Sequence, residues 1–582
     1  MQILELTWIG KDEQPQVEPR ILLHDPSKDY GDPNARNMLI HGDNLLALKA
    51  LEQQFAGQVK CIYIDPPYNT GAAFEHYDDN LEHSIWLGLM KARLEILKNL
   101  LAPEGGICVQ IDAIEMAYLK VLMDEIFGRN NFVNIISVKT KIAGVSGSNL
   151  GKSLQDNIEF ILMYARDLSK FALHTIPQKR QELMDYIDSY SREGKSWKYT
   201  SVLKSIDEGT YIKSFYAGNG DEIKLFKHAD FEICSVGQIA RDEFDGNLQK
   251  AYYTYIDSVF RTTNAQTSIR TKVIEETKEF NNTGLFSIEY VPIKGRNAGK
   301  TIRSYYKDSN LVAWLRDVVS QDGNSIFKLD NSGNLWDDIQ YNNLTKEGNV
   351  QFPNGKKPES LVGRVIDMLS DPGDLVLDSF LGSGTTCAAA HKMGRKWIGV
   401  ELGDHCYTHC LPRLKSVVDG IDSGGITKDF EWQGGGGYKF YELAPTLIVR
   451  DKHGNSVFSE QYNPTMLAAA VAKINGFTYA PNQEVYWKQG YSQDNSFIYV
   501  TTQYLTAKML DEIVADVDVF ENLLICAPAF DNGLSKRYDN INVRKIPLSV
   551  LQKCEFGVDN YNLNIIDPPE FDEEEWEDSE DA

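Results

Sequence analysis

The chain has 582 residues, of which 42% are hydrophobic and 24% charged, with a formal charge of −24 and eight cysteines. That length predicts several domains rather than one core. No apolar run is long enough to cross a bilayer, the opening MQILELTWIGKDEQ lacks a signal-peptide pattern, and irregularly spaced cysteines read as reduced thiols, so a cytoplasmic location with no membrane partner is expected.

The first elements alternate strand and helix. VKCIYID reads as a strand ending at Asp65, and HSIWLGLMKARLEILKNLL as a helix closed by Pro103, Gly105 and Gly106. GICVQID follows as a buried strand, then a helix near Ile114 to Phe127 and the strand-like runs NFVNIISV and NIEFILMYA. From 171 to 340 the chain is rich in Tyr, Thr and Asn without long helical periodicity, and holds 22 Lys and Arg against 24 Asp and Glu. This near-neutral stretch inside an acidic chain permits a locally basic face. Beyond Pro353 the α/β pattern resumes, with a helix around Leu361 to Leu369, the strand DLVLD, a Gly-rich turn, a helix and the strand KWIGVEL. The glycines of EWQGGGGYKF read as a flexible boundary, and 455–566 as a further α/β region. Asp567 to Ala582 carries ten carboxylates and no base, the composition of a disordered tail.

Two motifs carry chemistry. Asp65-Pro66-Pro67-Tyr68 stands where a strand ends, the ligand edge of open α/β sheets. An adenine amine is a poor nucleophile because its lone pair is delocalised into the ring. The Asp65 carboxylate and the Pro66 carbonyl together offer acceptors for both amine hydrogens, which localises that pair. Pro66 and Pro67 stiffen the turn, and Tyr68 offers a flat face to an extruded base. Asp65 polarises first and accepts a proton only after the nitrogen has become cationic. A plain turn is the competing reading, and Asp567-Pro568-Pro569-Glu570, which lacks the aromatic, is taken as such.

The second motif, Asp378-Ser379-Phe380-Leu381-Gly382-Ser383-Gly384-Thr385-Thr386, follows a strand and opens a helix. Glycines there admit a ligand close to the backbone, and the helix start offers N–H groups to a carboxylate. Glu401 ends the next strand, where a carboxylate can accept ribose hydroxyls. Alone the second motif is weak; paired with the first it is strong.

In these motifs the chain resembles the β class of amino-methyltransferases, and more closely the modification (Mod) subunit of type III restriction–modification systems. The resemblance runs through HGDNLLAL, DPPYNTG, DNIEFILMYAR, FPNGKKPESL, DSFLGSGTT, WIGVEL and GGGGYKFYELAP. It implies S-adenosylmethionine as cofactor and double-stranded DNA as substrate. A homodimer and a separate restriction subunit carrying ATPase and nuclease are further implied partners. It also implies that Asp43 contacts the cofactor adenine, that Lys357 and Pro358 shape the cofactor pocket, and that Phe380 lies beside the methionine moiety. Asp as the first residue of the tetrapeptide favours adenine N6 over cytosine N4.

Three other patterns draw bland readings. Gly295 to Thr301 has three residues between its glycines where a phosphate loop needs four, so a β-turn is expected. His405, Cys406, His409 and Cys410 do not share one helical face, so no metal is expected, and the sulfonium donor needs none. Trp197, Tyr211 and the run around Tyr252 are read as core. Arg261, Asn264, Gln266 and Arg270 are candidate DNA contacts, against an even alternative of a polar loop.

The expected architecture is a doubly wound, Rossmann-like methyltransferase sheet assembled from two separated halves. An N-terminal arm covers 1–36, the catalytic half 37–169, a mixed α/β target-recognition insert 170–345, the cofactor-binding half 346–425, a C-terminal α/β domain 426–566 and an acidic tail 567–582. The expected activity is site-specific adenine-N6 methylation of DNA by base flipping. Alternatives are an orphan methyltransferase without a restriction partner, a cytosine-N4, RNA or protein-amide methyltransferase, and a non-catalytic binding module.

Overall fold

The computed structural model describes residues 5–12, 17–69, 83–140, 156–175, 178–216, 222–264, 267–291, 299–341, 344–350, 352, 355–450, 456–493 and 495–546. It divides into two compact units, 1–176 with 333–582, and 177–332. Among the described residues no helix is long and apolar enough to cross a membrane.

The first unit is organised by β1 (Leu22–His24), β2 (Met38–His41), α1 (Asn44–Phe55), β3 (Val59–Ile64), α2 (His83–Leu100), β4 (Leu101–Ile111), β5 (Phe132–Lys139) and β6 (Ile158–Ala165). After the second unit come β7 (Leu335–Trp336), α3 (Glu359–Leu369), β8 (Leu375–Asp378), α4 (Thr385–Lys392), β9 (Lys396–Glu401) and β10 (Gly437–Leu443). Their order in the sheet is β1-β10-β2-β9-β8-β3-β4-β6-β5-β7. Strands β2, β9, β8, β3 and β4 run parallel. The later half of the chain therefore threads into the middle of the earlier half, with β8 beside β3 through Val376↔Cys61 and Leu377↔Ile62.

Strand alternation explains how both faces are covered. Leu39, Cys61, Tyr63 and Val376 point into a core with α3 and α4, whereas Ile40, Ile62, Ile64 and Leu377 point into one with α1 and α2. Burial of each Leu of α2 stabilises the fold by about 1.5–3 kcal/mol. The direction of travel through the sheet reverses between β8 and β3, which puts a crevice beyond their carboxyl ends.

The second unit is built on an antiparallel eight-stranded sheet, with a three-stranded sheet and helices Leu183–Arg192, Val236–Glu243, Leu248–Thr254 and Ser268–Glu276. It is narrower than the expected insert 170–345. At one margin the His174 N–H donates to the Met368 carbonyl at 2.9 Å, and at the other β7 pairs with β5, so both stay in the first unit. Trp197 donates to the Tyr252 hydroxyl and Tyr252 is buried, but Tyr211 is 52% exposed, on the edge strand Thr210–Tyr216, rather than in the core.

The glycine run also differs from its reading as a flexible boundary at 426. Gly437 starts β10, which pairs with β2 and β1. A Cβ on Gly437 would lie 2.4 Å from the Asp32 nitrogen, and one on Gly31 2.2 Å from the Gly436 oxygen. These glycines are needed for close backbone approach, not for slack. Beyond β10 stand a hairpin and a five-stranded sheet from Thr478 to Lys545. The turn at Gly295 lies outside the described residues except for Gly299 onward, and Asp567–Glu570 with the acidic tail lies wholly outside them.

Candidate active site

Asp65 directly follows β3 and Asp378 ends β8, so adjacent parallel strands carry both carboxylates to one edge. The Pro-Pro turn is pinned from below: Trp86 of α2, fully buried, donates its indole N–H to the Pro67 carbonyl at 2.8 Å. Asn69 takes up the left-handed conformation that ends the turn, with φ of 59°.

Asp65 has two donors on it. The Tyr68 hydroxyl lies 2.8 Å from Oδ1 and Lys357 Nζ 3.1 Å from Oδ2. Both donors are shared with Glu159, a residue of β6: the Tyr68 hydroxyl is 2.8 Å and Lys357 Nζ 3.3 Å from its Oε2. The Gln110 amide donates to the same oxygen at 2.5 Å, while its carbonyl accepts from the Tyr63 hydroxyl. Lys357 Nζ also stands 4.8 Å from the Tyr68 ring centroid. Burial, with Glu159 adding, pushes the Asp65 carboxyl above its ordinary range against the pull of Lys357 and Tyr68. Burial acts on Glu159 too, but Lys357, Gln110 and Tyr68 outweigh it and hold that carboxyl below its ordinary range.

The Gly-rich loop is held as tightly. Asp378 accepts from the Phe380 N–H at 2.9 Å and the Thr386 hydroxyl at 2.5 Å. Burial pushes Asp378 up to about 7, with those two donors opposing and the Asp65 and Glu401 charges adding. Gly382 and Gly384 have φ of 55° and 83°, which favours glycine, and a Cβ on Gly382 would meet nothing within 4 Å. Gly384 caps α4, and Thr385 donates its hydroxyl to the Lys357 carbonyl at 3.2 Å. Behind the loop Arg413 donates to the Thr385 hydroxyl at 2.7 Å and to the Ser383 carbonyl at 3.3 Å. Its other terminal nitrogen donates to Glu359 at 2.8 Å.

Glu401 ends β9 but is 2% exposed, and its oxygens accept from the Gly382 N–H at 2.7 Å and the Gly403 N–H at 3.0 Å, with His405 2.9 Å away. It ties the loop to the neighbouring strand. Asp43 caps α1 through the Leu46 N–H at 3.0 Å; its second oxygen is buried without a hydrogen-bond partner, 3.6 Å from Arg93. Phe380 is buried in the core shared with α1 and α2, and Pro358 precedes α3 as its cap residue.

Cys406 and Cys410 are buried, and Cys410 donates to the Gly382 carbonyl at 3.2 Å. Among the described residues no group of three or more His, Cys, Asp or Glu is arranged to hold a metal ion. In the second unit Arg261 and Asn264 are exposed, whereas the Arg270 guanidinium donates to the Ser309 carbonyl and the Asn310 side chain, each at 3.1 Å. Gln266 lies outside the described residues.

Sequence reasoning brought together Asp65, Tyr68, Asp378 and the loop, but missed Glu159, Gln110 and Arg413. A lone carboxylate inside the apolar run NIEFILMYA was the available signal for Glu159. Lys357, expected in the cofactor pocket, has its ammonium on Asp65.

A DNA methylase family model of the N6/N4 type matches residues 59–410. A probable type III restriction-modification enzyme Mod subunit (HindVI) from Haemophilus influenzae is 49% identical over 416 residues, which cover 71% of this chain and 54% of that protein. The EcoP15I Mod subunit of Escherichia coli is 30% identical over 499 residues, covering 77% of this chain and 72% of its own. The EcoPI Mod subunit of Escherichia phage P1 is 25% identical over 444 residues, covering 67% and 61%. The chain spans about half the length of the first of these relatives.

Proposed function

Because the chain belongs to the DNA methylase family, we propose that it is an adenine-specific DNA methyltransferase using S-adenosylmethionine, and the modification and recognition subunit of a type III restriction–modification system. The observation that carries this reading is the placing of Asp65-Pro66-Pro67-Tyr68 and the Gly-rich loop on adjacent parallel strand ends.

The cofactor fits the residues present. Open space at Gly382, N–H groups at the start of α4 and a buried Asp43 oxygen without a hydrogen-bond partner provide donors and an acceptor for a molecule with a carboxylate at one end and an adenine at the other. Phe380, Thr385, Thr386 and Asp378 shape the loop, and Glu401 holds it to the next strand, where a ribose would lie. The cofactor supplies an activated methyl group on a sulfonium.

In the proposed cycle the 177–332 unit recognises duplex DNA and one adenine leaves the stack, at a cost of a few kcal/mol. The base stacks on Tyr68. Asp65 and the Pro66 carbonyl accept its amine hydrogens, directing the nitrogen lone pair to the methyl group. After transfer Asp65 takes the proton from the cationic nitrogen. A cytoplasmic homodimer that pairs with an ATPase/nuclease subunit completes the reading. Base-resolved sequencing of DNA from cells expressing this chain alone tests it. N6-methyladenine at one sequence motif, lost with Asp65→Ala, is the expected result; cytosine-N4 marks or an unmethylated genome overturn it.

A further inference from the structure

The catalytic turn contains one donor pair and two carboxylates. The single proton of the Tyr68 hydroxyl faces Asp65 Oδ1 and Glu159 Oε2, both at 2.8 Å. The ammonium of Lys357 faces Asp65 at 3.1 Å and Glu159 at 3.3 Å. A hydroxyl proton is given to one oxygen at a time, so every bond made to Glu159 is one released from Asp65.

That competition bears on the chemistry proposed for the site, and the inference rests on that reading. An arriving amine needs an acceptor, and an Asp65 held by both Tyr68 and Lys357 is a poor one. Glu159 is built to win the donors. The Gln110 amide, itself oriented by Tyr63, donates to it, and three donors converge on one Glu159 oxygen. Gln110 is fully buried, so this orientation is fixed by packing.

We propose that Glu159 is a positioning residue of the methyl-transfer site: it draws the Tyr68 hydroxyl and the Lys357 ammonium off Asp65 and so leaves an Asp65 oxygen to accept the adenine amine. Glu159 touches neither the base nor the cofactor. Its negative charge also raises the basicity of Asp65, in line with the upward push on that carboxyl.

The test uses the full chain, tritiated S-adenosylmethionine and a duplex bearing the motif found by sequencing. In Glu159→Gln the Lys357 ammonium has Asp65 alone to pair with. Single-turnover methyl transfer falls about tenfold to a hundredfold, the KM for S-adenosylmethionine stays within about twofold, and the acid limb of the rate profile moves to lower pH. Glu159→Asp, which keeps the charge, restores the position of that limb. A second readout does not depend on turnover. With 2-aminopurine, which lacks the 6-amine, in place of the target adenine and S-adenosylhomocysteine present, Glu159→Gln still gives the wild-type rise in fluorescence. Unchanged rate and pH profile, or loss of the 2-aminopurine signal, overturn the inference while leaving the functional reading intact. A wild-type chain that methylates no adenine overturns both.

Discussion

Two clusters of ions in the methyltransferase unit are built on opposite principles. Under the Gly-rich loop Lys392, Glu359, Asp422 and Arg413 have fully enclosed side chains, with Lys392 at 2.7 Å from Glu359 and 2.6 Å from Asp422. Each charge there has its partner, and the cluster holds α3, α4 and the loop in register. Around Asp65 the side chains of Asp65 and Glu159 are 20% and 18% exposed, and two donors are divided between two carboxylates. The first arrangement resists change. The second divides its donors between two acceptors, as the proposed binding and release of a base requires.

Removing a charge from each cluster separates the two roles. Asp65→Ala should lower methyl transfer by about a thousandfold, with a melting temperature near that of the parent chain, because the carboxylate there serves the substrate more than the fold. A large loss of stability would show instead that the turn depends on it. Arg413→Met should do the reverse. It leaves one Glu359 oxygen without its guanidinium partner in a closed interior, which costs about 3–5 kcal/mol, read as a lower denaturant midpoint. It also frees the Ser383–Thr385 backbone, so binding of S-adenosylmethionine, measured by calorimetry, weakens. Stability equal to wild type would break the contrast.

The difference between the clusters also explains what the sequence disclosed. Asp65 and the loop were legible because prolines, glycines and strand-ending carboxylates punctuate apolar runs, a local signal. The parallel sheet was legible as two halves, because each half repeats the strand–helix alternation. Glu159 and Arg413 act through partners at least 49 and 28 residues away (Gln110 and Thr385), and no local pattern carries that information. The glycines before β10 misled for the same reason: positive φ and close approach to Gly31 and Gly420 use the same residue that a loose linker uses. In the 177–332 unit local hairpins such as Thr210–Tyr216 with Glu222–His228 are joined by pairings far along the chain, as Val259–Thr263 makes with Asn310–Trp314, so the sheet order could not be read from periodicity.

A milder perturbation asks whether the closed cluster is under electrostatic tension. Glu347, 3.8 Å from Arg413, is pushed up to about 7 by burial, with Glu359 adding and Arg413 opposing. A carboxyl raised in the fold costs nothing below its unfolded value near 4.5 and progressively more as pH climbs to about 7. Glu347→Gln removes that cost, so its melting temperature relative to wild type should improve by roughly 2–6 °C between pH 4.5 and 7.5. A difference that stays flat with pH would show that Arg413 fully compensates Glu347.

The smallest expected effect carries the same contrast into the second unit. Arg270 is engaged by the Ser309 carbonyl and Asn310, so its guanidinium helps hold the helix Ser268–Glu276 to the turn before the strand Asn310–Trp314. Arg261 is exposed and has its guanidinium 5.1 Å from the Tyr199 ring centroid. If the unit meets duplex DNA, Arg261→Ala should lower the slope of log affinity against log salt by about 0.9, the value of one phosphate contact, and weaken binding evenly across sequences. Arg270→Ala should leave that slope alone and lower the melting temperature. Equal slopes for both variants would remove Arg261 from the DNA face, and a slope change in Arg270→Ala without loss of stability would show that its bonds to Ser309 and Asn310 give way to phosphate.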